Sequence, residues 1–247
     1  MNFEASDRIK FASAVLAAAI LSSGLTLGLY KVGGGLAARA GNAITVTGTA
    51  SESAKADNAV WNLNLNESQS SLAASVKKID TSADALKKYL LTGGITADQI
   101  ELGPVNSNAV MEYINGNPTG RILAYQAYRT LTVRTKDVEL VAKLSNEIGT
   151  LLATGVNVGN YGPSYYLSTL DKMRAKLLAS AMQDAKARAK AITEAVGGQV
   201  GPLLSVSTGP TQVTTKDSLD RSAGGFYDLS TIDKTVNVTL SASFKTN

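Results

Sequence analysis

Trp61-Asn62-Leu63-Asn64-Leu65-Asn66 alternates apolar and polar residues without a break. In an extended chain successive side chains point to opposite faces, so Trp61, Leu63 and Leu65 share one face and three asparagines share the other. One face seeks a core and the other tolerates water, which is the signature of a half-buried antiparallel strand. Just before it, Ile44-Thr45-Val46-Thr47 alternates in the same way and reads as a shorter strand, with a small polar turn over Ser51–Asp57 between the two. After it the period changes. Leu72, Val76, Ile79, Ala83, Leu86 and Leu90 recur at spacings of three and four, and Lys77, Lys78, Asp84 and Lys88 fall off that stripe. This predicts an amphipathic helix that packs on one side, ended by Gly93-Gly94.

The same reading continues to the C-terminus. Ile100–Val105 is expected to be a strand. Arg121–Val133 carries Leu123, Tyr125, Ala127, Leu131 and Val133 on one face, and Asn115-Gly116 before it predicts a long hairpin. A second helix is expected from about Asp137 to Ala153, closed by Gly155. Val156–Leu167 reads as a strand broken by Gly162-Pro163. A third helix spans about Thr169–Val196, with a narrow stripe of Met173, Leu177, Ala181, Ala185, Ala189, Ile192 and Val196. Val200–Ser207 and the alternating Val236, Val238, Leu240, Ala242, Phe244 close the chain as strands. The long Ser-, Thr-, Gly- and Asp-rich stretch Thr208–Asp233 between them reads as a mobile excursion. The expected class is therefore α+β, a mostly antiparallel sheet with packed helices.

One N-terminal segment stands apart. Phe11–Tyr30 has no charge and lies between Lys10 and Lys31. A bilayer core takes about 20 apolar residues as a helix, so this run is expected to be one transmembrane helix. Ala38-Arg39-Ala40 is a poor cleavage site, which favours a retained anchor. Ala14, Ala18, Ser22 form one row of small residues and Gly24, Gly28 another, a pattern that lets membrane helices approach closely. The expected organisation is a tail (1–10), an anchor (11–30), a linker (31–42) and one domain (43–247). The lipid bilayer is then a partner through this helix. The weak charge bias leans towards an inside N-terminus. That orientation makes a single-pass protein of the inner membrane, its domain on the periplasmic or extracytoplasmic side.

Composition narrows the chemistry. The 247 residues contain neither Cys nor His. Common zinc sites, thiol nucleophiles and histidine-based triads are excluded. The net charge of +4 is dispersed, with no nucleic-acid motif. No phosphate loop, dinucleotide fingerprint or nucleophile elbow occurs. No catalytic, cofactor-binding or metal-binding residue is expected. Asp217, Asp220 and Asp228 are the densest carboxylates in the long loop, without calcium-loop spacing, and read as solvated charges. Tyr161, Tyr165 and Tyr166 lie close together with Gly and Pro, and are either an interaction surface or a half-buried strand face.

Several phrases in order also carry a family resemblance. They are Ile44-Thr45-Val46-Thr47-Gly48 leading to Asp57, Tyr125-Gln126-Ala127-Tyr128-Arg129 with Leu131 and Val133, Asp137 before a helix, Gly155-Val156-Asn157, and Ala181-Met182-Gln183-Asp184-Ala185-Lys186-Ala187-Arg188-Ala189 running on through Ala195-Val196-Gly197. From about Ala43 to Phe244 the chain resembles the SIMPL-domain family of bacterial envelope proteins, which includes periplasmic immunogenic proteins. It departs from the family at Ala56-Asp57, where Pro-Asp is usual, and in Thr208–Asp233. The resemblance implies an extracytoplasmic, non-enzymatic domain that assembles with itself into rings or cages, with a loose link to oxidative-stress tolerance. Three readings of function stand: a membrane-anchored homo-oligomer, a binding module or adaptor for another envelope protein, and a carboxylate-dependent hydrolase.

Overall fold

A computed structural model describes residues 43–218 and 222–247. The elements run, in chain order, β1 (Ala43–Lys55), β2 (Asn58–Gln69), α1 (Leu72–Thr92), a 3-10 turn (Ala97–Gln99), β3 (Ile100–Leu102), β4 (Asn106–Ile114), β5 (Asn117–Thr135), α2 (Val138–Glu147), α3 (Gly149–Leu152), β6 (Val158–Asn160), β7 (Ser164–Tyr166), α4 (Leu170–Ala195), β8 (Val200–Thr208), β9 (Gln212–Thr215), β10 (Phe226–Tyr227) and β11 (Asp233–Thr246). The class is α+β with antiparallel-rich sheets, as expected; β9 and β10 pair in parallel. The anchor segment, with Ala14, Ala18, Ser22, Gly24 and Gly28, lies outside the described residues. Among the described residues no helix is long and apolar enough to cross a membrane.

The described chain divides into two compact units. The larger holds residues 49–181 and 209–239. Its main sheet has the order β3-β5-β2-β6, with β4 also on β5 and β7 also on β2. The opening hexapeptide lies at its centre. Trp61 pairs with Val133 and Leu63 with Leu131, and all four side chains are buried. Directly opposed residues of an antiparallel pair share a face, so two alternating strands build one apolar surface. Ile79, Ala83, Leu86 and Leu90 of α1 and Val138, Val141 and Leu144 of α2 join the same core. The opposite face is polar. Thr130 donates to Asn64 and Thr132 to Asn62, both at 2.9 Å, while Gln126 donates to Asn66. Asparagine has low strand propensity; here each side-chain amide has a cross-strand partner.

Local signals explain the helix limits. Ser71 accepts from the Ala74 amide at the start of α1, and Asp137 from Leu140 at the start of α2. At the end of α1 the two glycines divide the work. Gly94 takes the positive φ of 106°, whereas Gly93 stays helical and is glycine because a Cβ would collide with Leu144.

Several elements differ from the sequence reading. β1 continues to Lys55, so the turn shrinks to Ala56-Asp57, because the small polar residues of Ser51–Lys55 fit an alternating strand. The strand expected over Ile100–Val105 stops at Leu102. The second helix breaks at Ile148, where Gly149 starts a separate turn. Thr208–Asp233 is not a single excursion: β9 and β10 occupy it, and Val213 and Asp228 are buried.

The smaller unit holds residues 182–208 and 240–247 and the described start of β1, Ala43–Gly48. Leu240, Ala242 and Phe244 of β11 are buried, as are Ala185 and Ala189 of α4. The expected α4 stripe departs at its end. Thr193, four residues beyond Ala189, is the buried position, and Ile192 and Val196 are exposed. A straight helix carries the buried face from 189 to 193, and the Thr193 hydroxyl is satisfied by the Ala189 carbonyl at 2.9 Å.

Candidate functional site

The three tyrosines do not form one surface. Gly162 and Pro163 separate β6 from β7, and the break sends them to different environments. Tyr161 is 88% exposed, Tyr165 is 5% exposed, and Tyr166 is half-buried. Burial raises the Tyr165 phenol above its ordinary range. Tyr166 tilts against Tyr227 with ring centroids 6.3 Å apart. Only Tyr161 offers its ring freely to solvent.

Beside this ring pair lies a polar cluster that the sequence reading spread over solvent. Lys234 is fully buried on β11 and its Nζ lies 3.0 Å from Asp228 Oδ2 and 2.6 Å from the Asp228 carbonyl oxygen. The ammonium also sits 5.8 Å from the centre of the Tyr227 ring. Asp228 Oδ1 accepts from the Ser230 amide and hydroxyl. Its Oδ2 accepts from the Thr231 amide and hydroxyl. Burial alone would raise this carboxyl's pKa, but the hydrogen bonds from Thr231, Ser230 and Lys234 outweigh it. They hold the group well below the usual carboxylate range. The signal in sequence was local: Asp228-Leu229-Ser230-Thr231 is an aspartate followed by two hydroxyl residues that can close an Asx-type turn. The partner lysine lies in the next strand and could not be paired from spacing alone.

The cluster is a brace. The Asp228 amide donates to Val213, the Tyr165 amide to Leu229, and the Leu167 amide to the Tyr227 hydroxyl. Asp57, at the turn between β1 and β2, accepts from the Ser168 amide at 2.8 Å and the Ser168 hydroxyl at 2.6 Å. Burial opposes ionisation of Asp57 too, and the Ser168 hydrogen bonds still lower its pKa. Asp228 has both oxygens engaged by donors and is strongly ionised, which makes it a poor base. Asp217 stands apart in a left-handed turn with φ 62°, and Asp220 lies outside the described residues. Among the described residues no group of three or more carboxylates could hold a metal ion.

Two other surfaces carry exposed apolar side chains. Among the described residues β4 pairs only with β5, and the outer part of this ribbon is exposed on both faces. Tyr113, Ile114, Ile122 and Leu123 stand there in water, beside the turn where Asn115 and Gly116 both take positive φ. β8 is the second: Leu203, Leu204 and Val206 are each about half exposed.

The profile of the SIMPL family, described as a protein of unknown function (DUF541), matches residues 44–244. No curated protein matches the chain. Among solved structures, a Burkholderia cenocepacia chain provisionally assigned as an amidohydrolase/peptidase aligns at 17% identity with a TM-score of 0.22. That alignment covers 56% of this chain and 35% of the other, so this chain spans about a third of that protein's length. The likeness is too slight to bear on fold or chemistry. The family match runs over nearly all of the described residues and includes the alternating hexapeptide, the β5 strand and the alanine stripe of α4; the chain belongs to the SIMPL family.

Proposed function

We propose that this chain is a membrane-anchored, extracytoplasmic SIMPL protein whose domain assembles with itself into a ring or cage and catalyses no reaction. The observation that carries this reading is the β4–β5 ribbon. An isolated two-stranded ribbon is marginal in water. This one extends beyond its sheet with Tyr113, Ile114, Ile122 and Leu123 exposed on it. Such a ribbon gains its missing cover from a neighbouring subunit, in a contact that is not self-complementary. A contact of that kind closes into a ring when the rotation allows. The anchor reading rests on the uncharged length of Phe11–Tyr30. With the weak charge bias of its flanks it supports a domain on the periplasmic or extracytoplasmic side of the inner membrane, with a link to envelope or oxidative-stress tolerance.

The test is light scattering on the full-length chain extracted in detergent. A particle of many subunits is expected, and Ile114→Asp with Leu123→Ser is expected to shrink it. A monomeric wild-type particle overturns the reading. Tyr161, exposed between Gly159 and Gly162, favours the adaptor as second reading. An adaptor would retain a distinct envelope protein through purification, and Tyr161→Ala would release it.

A further inference from the structure

β8 presents a problem that the rest of the fold avoids. It pairs antiparallel with β11, Ser205 opposite Ser243, Val206 opposite Ala242, Ser207 opposite Ser241 and Thr208 opposite Leu240. Among the described residues its other edge has no strand neighbour. Natural edge strands are guarded by charges, prolines, bulges or a covering element. Val200-Gly201-Pro202-Leu203-Leu204-Ser205-Val206-Ser207-Thr208 contains no charge. Pro202 and the register shift beside Leu204 guard its first half. Ser205–Thr208 has neither device. Leu203 and Val206 oppose Phe244 and Ala242, which are buried, yet are themselves about half exposed. The face that β11 buries is therefore left uncovered along β8.

The surroundings point the same way. Ile192 is half exposed on the last turns of α4, and Val196, in the turn that leads into β8, is 82% exposed. On the same unit Arg188 pairs with Asp184 at 2.9 Å and Lys190 with Glu194 at 3.7 Å within α4, while Lys186 of α4 and Lys245 of β11 are exposed cations off the β8 edge. The strand itself carries no charge, so its edge does not repel a copy of itself.

We infer that β8 pairs antiparallel, about a two-fold axis, with β8 of a second copy of this chain. This inference rests on the self-assembly reading and adds to it a second contact, distinct from the ribbon. An antiparallel pairing of identical strands is self-complementary, the commonest interface symmetry. It supplies the unmade backbone hydrogen bonds and joins two sheets into one. Such a pairing would also cover exposed aliphatic side chains on and beside the strand: Leu203, Leu204 and Val206 on β8, and Ile192 and Val196 just before it.

The absence of native cysteine makes the test clean. Ser205→Cys in the full-length chain, treated with a short thiol-to-thiol cross-linker, should give a covalent dimer in high yield. Val206→Lys, on an already exposed position, should lower the particle mass at least twofold with an unchanged circular dichroism spectrum, and in the double variant should abolish the cross-link. A large wild-type particle that gives no cross-linked dimer and ignores Val206→Lys overturns this inference while leaving the self-assembly reading intact. A Val206→Lys particle of reduced mass with no cross-link at position 205 also overturns it, since the occupant of the edge is then not another β8. A monomeric wild-type chain removes both.

Discussion

The strand β5 lives two lives. Its root, Ala127–Thr135, has β2 along one side and β3 with the start of β4 along the other, and Ala127, Leu131 and Val133 are buried. Its tip, Asn117–Leu123, pairs only with β4 and exposes Ile122 and Leu123. Both halves have β-branched and aromatic residues within reach, and both sustain regular pairing. What separates them is cover. α1 and α2 join the core beneath the root, whereas nothing among the described residues lies over the tip. Strand character is therefore a local property of this sequence, and burial is a property of the layer above it. Hydrophobic side chains at the root hold the fold, and those at the tip are available to hold something else.

That contrast can be broken by substitution. The largest effect should come at the root's partner strand. Trp61→Ala removes a fully buried ring and its 2.9 Å donation to Asn160, and should cost about 4 kcal/mol; urea unfolding followed by circular dichroism measures it, and a cost near 1 would remove the root from the core. Next is the brace. Lys234→Ala leaves the Asp228 charge buried without its cation and should cost about 3 kcal/mol at neutral pH.

The same brace sets a pH dependence. The folded pKa of Asp228 lies below its unfolded value. Its stabilisation is thus complete above the unfolded pKa of about 4 and is lost as pH falls from there towards the folded value. Asp228→Asn should lower stability at pH 7 and flatten its decline on acidification; an unaltered acid limb would show that other carboxylates govern it. Smaller again, Ser71→Ala removes the acceptor that caps α1 over the root and should cost about 1 kcal/mol. Last comes the tip, where Leu123→Ser should change stability by no more than about 0.5 kcal/mol and yet reduce particle mass. A large stability loss at Leu123 would mean that the tip is covered within its own subunit.

The root was legible in the sequence because its period is clean. Trp61, Leu63 and Leu65 and the stripe from Ile79 to Leu90 each match one template. Gly93-Gly94 and Asn115-Gly116 marked their boundaries correctly. The third-helix stripe was legible to Ala189 and then failed, because the sequence offers apolar Ile192 and Val196 where the buried face turns to Thr193. Threonine in that place reads as polar, and its back-bond to Ala189 hides the cost. The brace was less legible still. Asp228 read as a solvated loop charge and Lys234 carried no signal of its own, and only tertiary pairing makes their burial tolerable. The tyrosines divided between the two readings: Tyr165 and Tyr166 lie on a buried to half-buried strand and Tyr161 is exposed, because sequence proximity around a Gly-Pro break does not preserve direction. Whether an apolar strand residue meets a core or water is likewise not written in its alternation, so β8 looked like any other strand; β4, over Asn106–Ile114, was not read as a strand at all, because its polar start and the Asn-Gly turn beyond it gave a turn-rich signal.

The burial of Trp61 has one more consequence. It is the only tryptophan in the chain, it lies in the larger unit, and its indole is sealed from solvent with its N–H bonded to Asn160. The protein therefore carries a built-in optical reporter of one unit that is blind to the other. Its emission should move to longer wavelength when the β2–β5 core opens. If α4 and β8 melt on their own, circular dichroism will register a transition that tryptophan fluorescence does not, and the two curves will part.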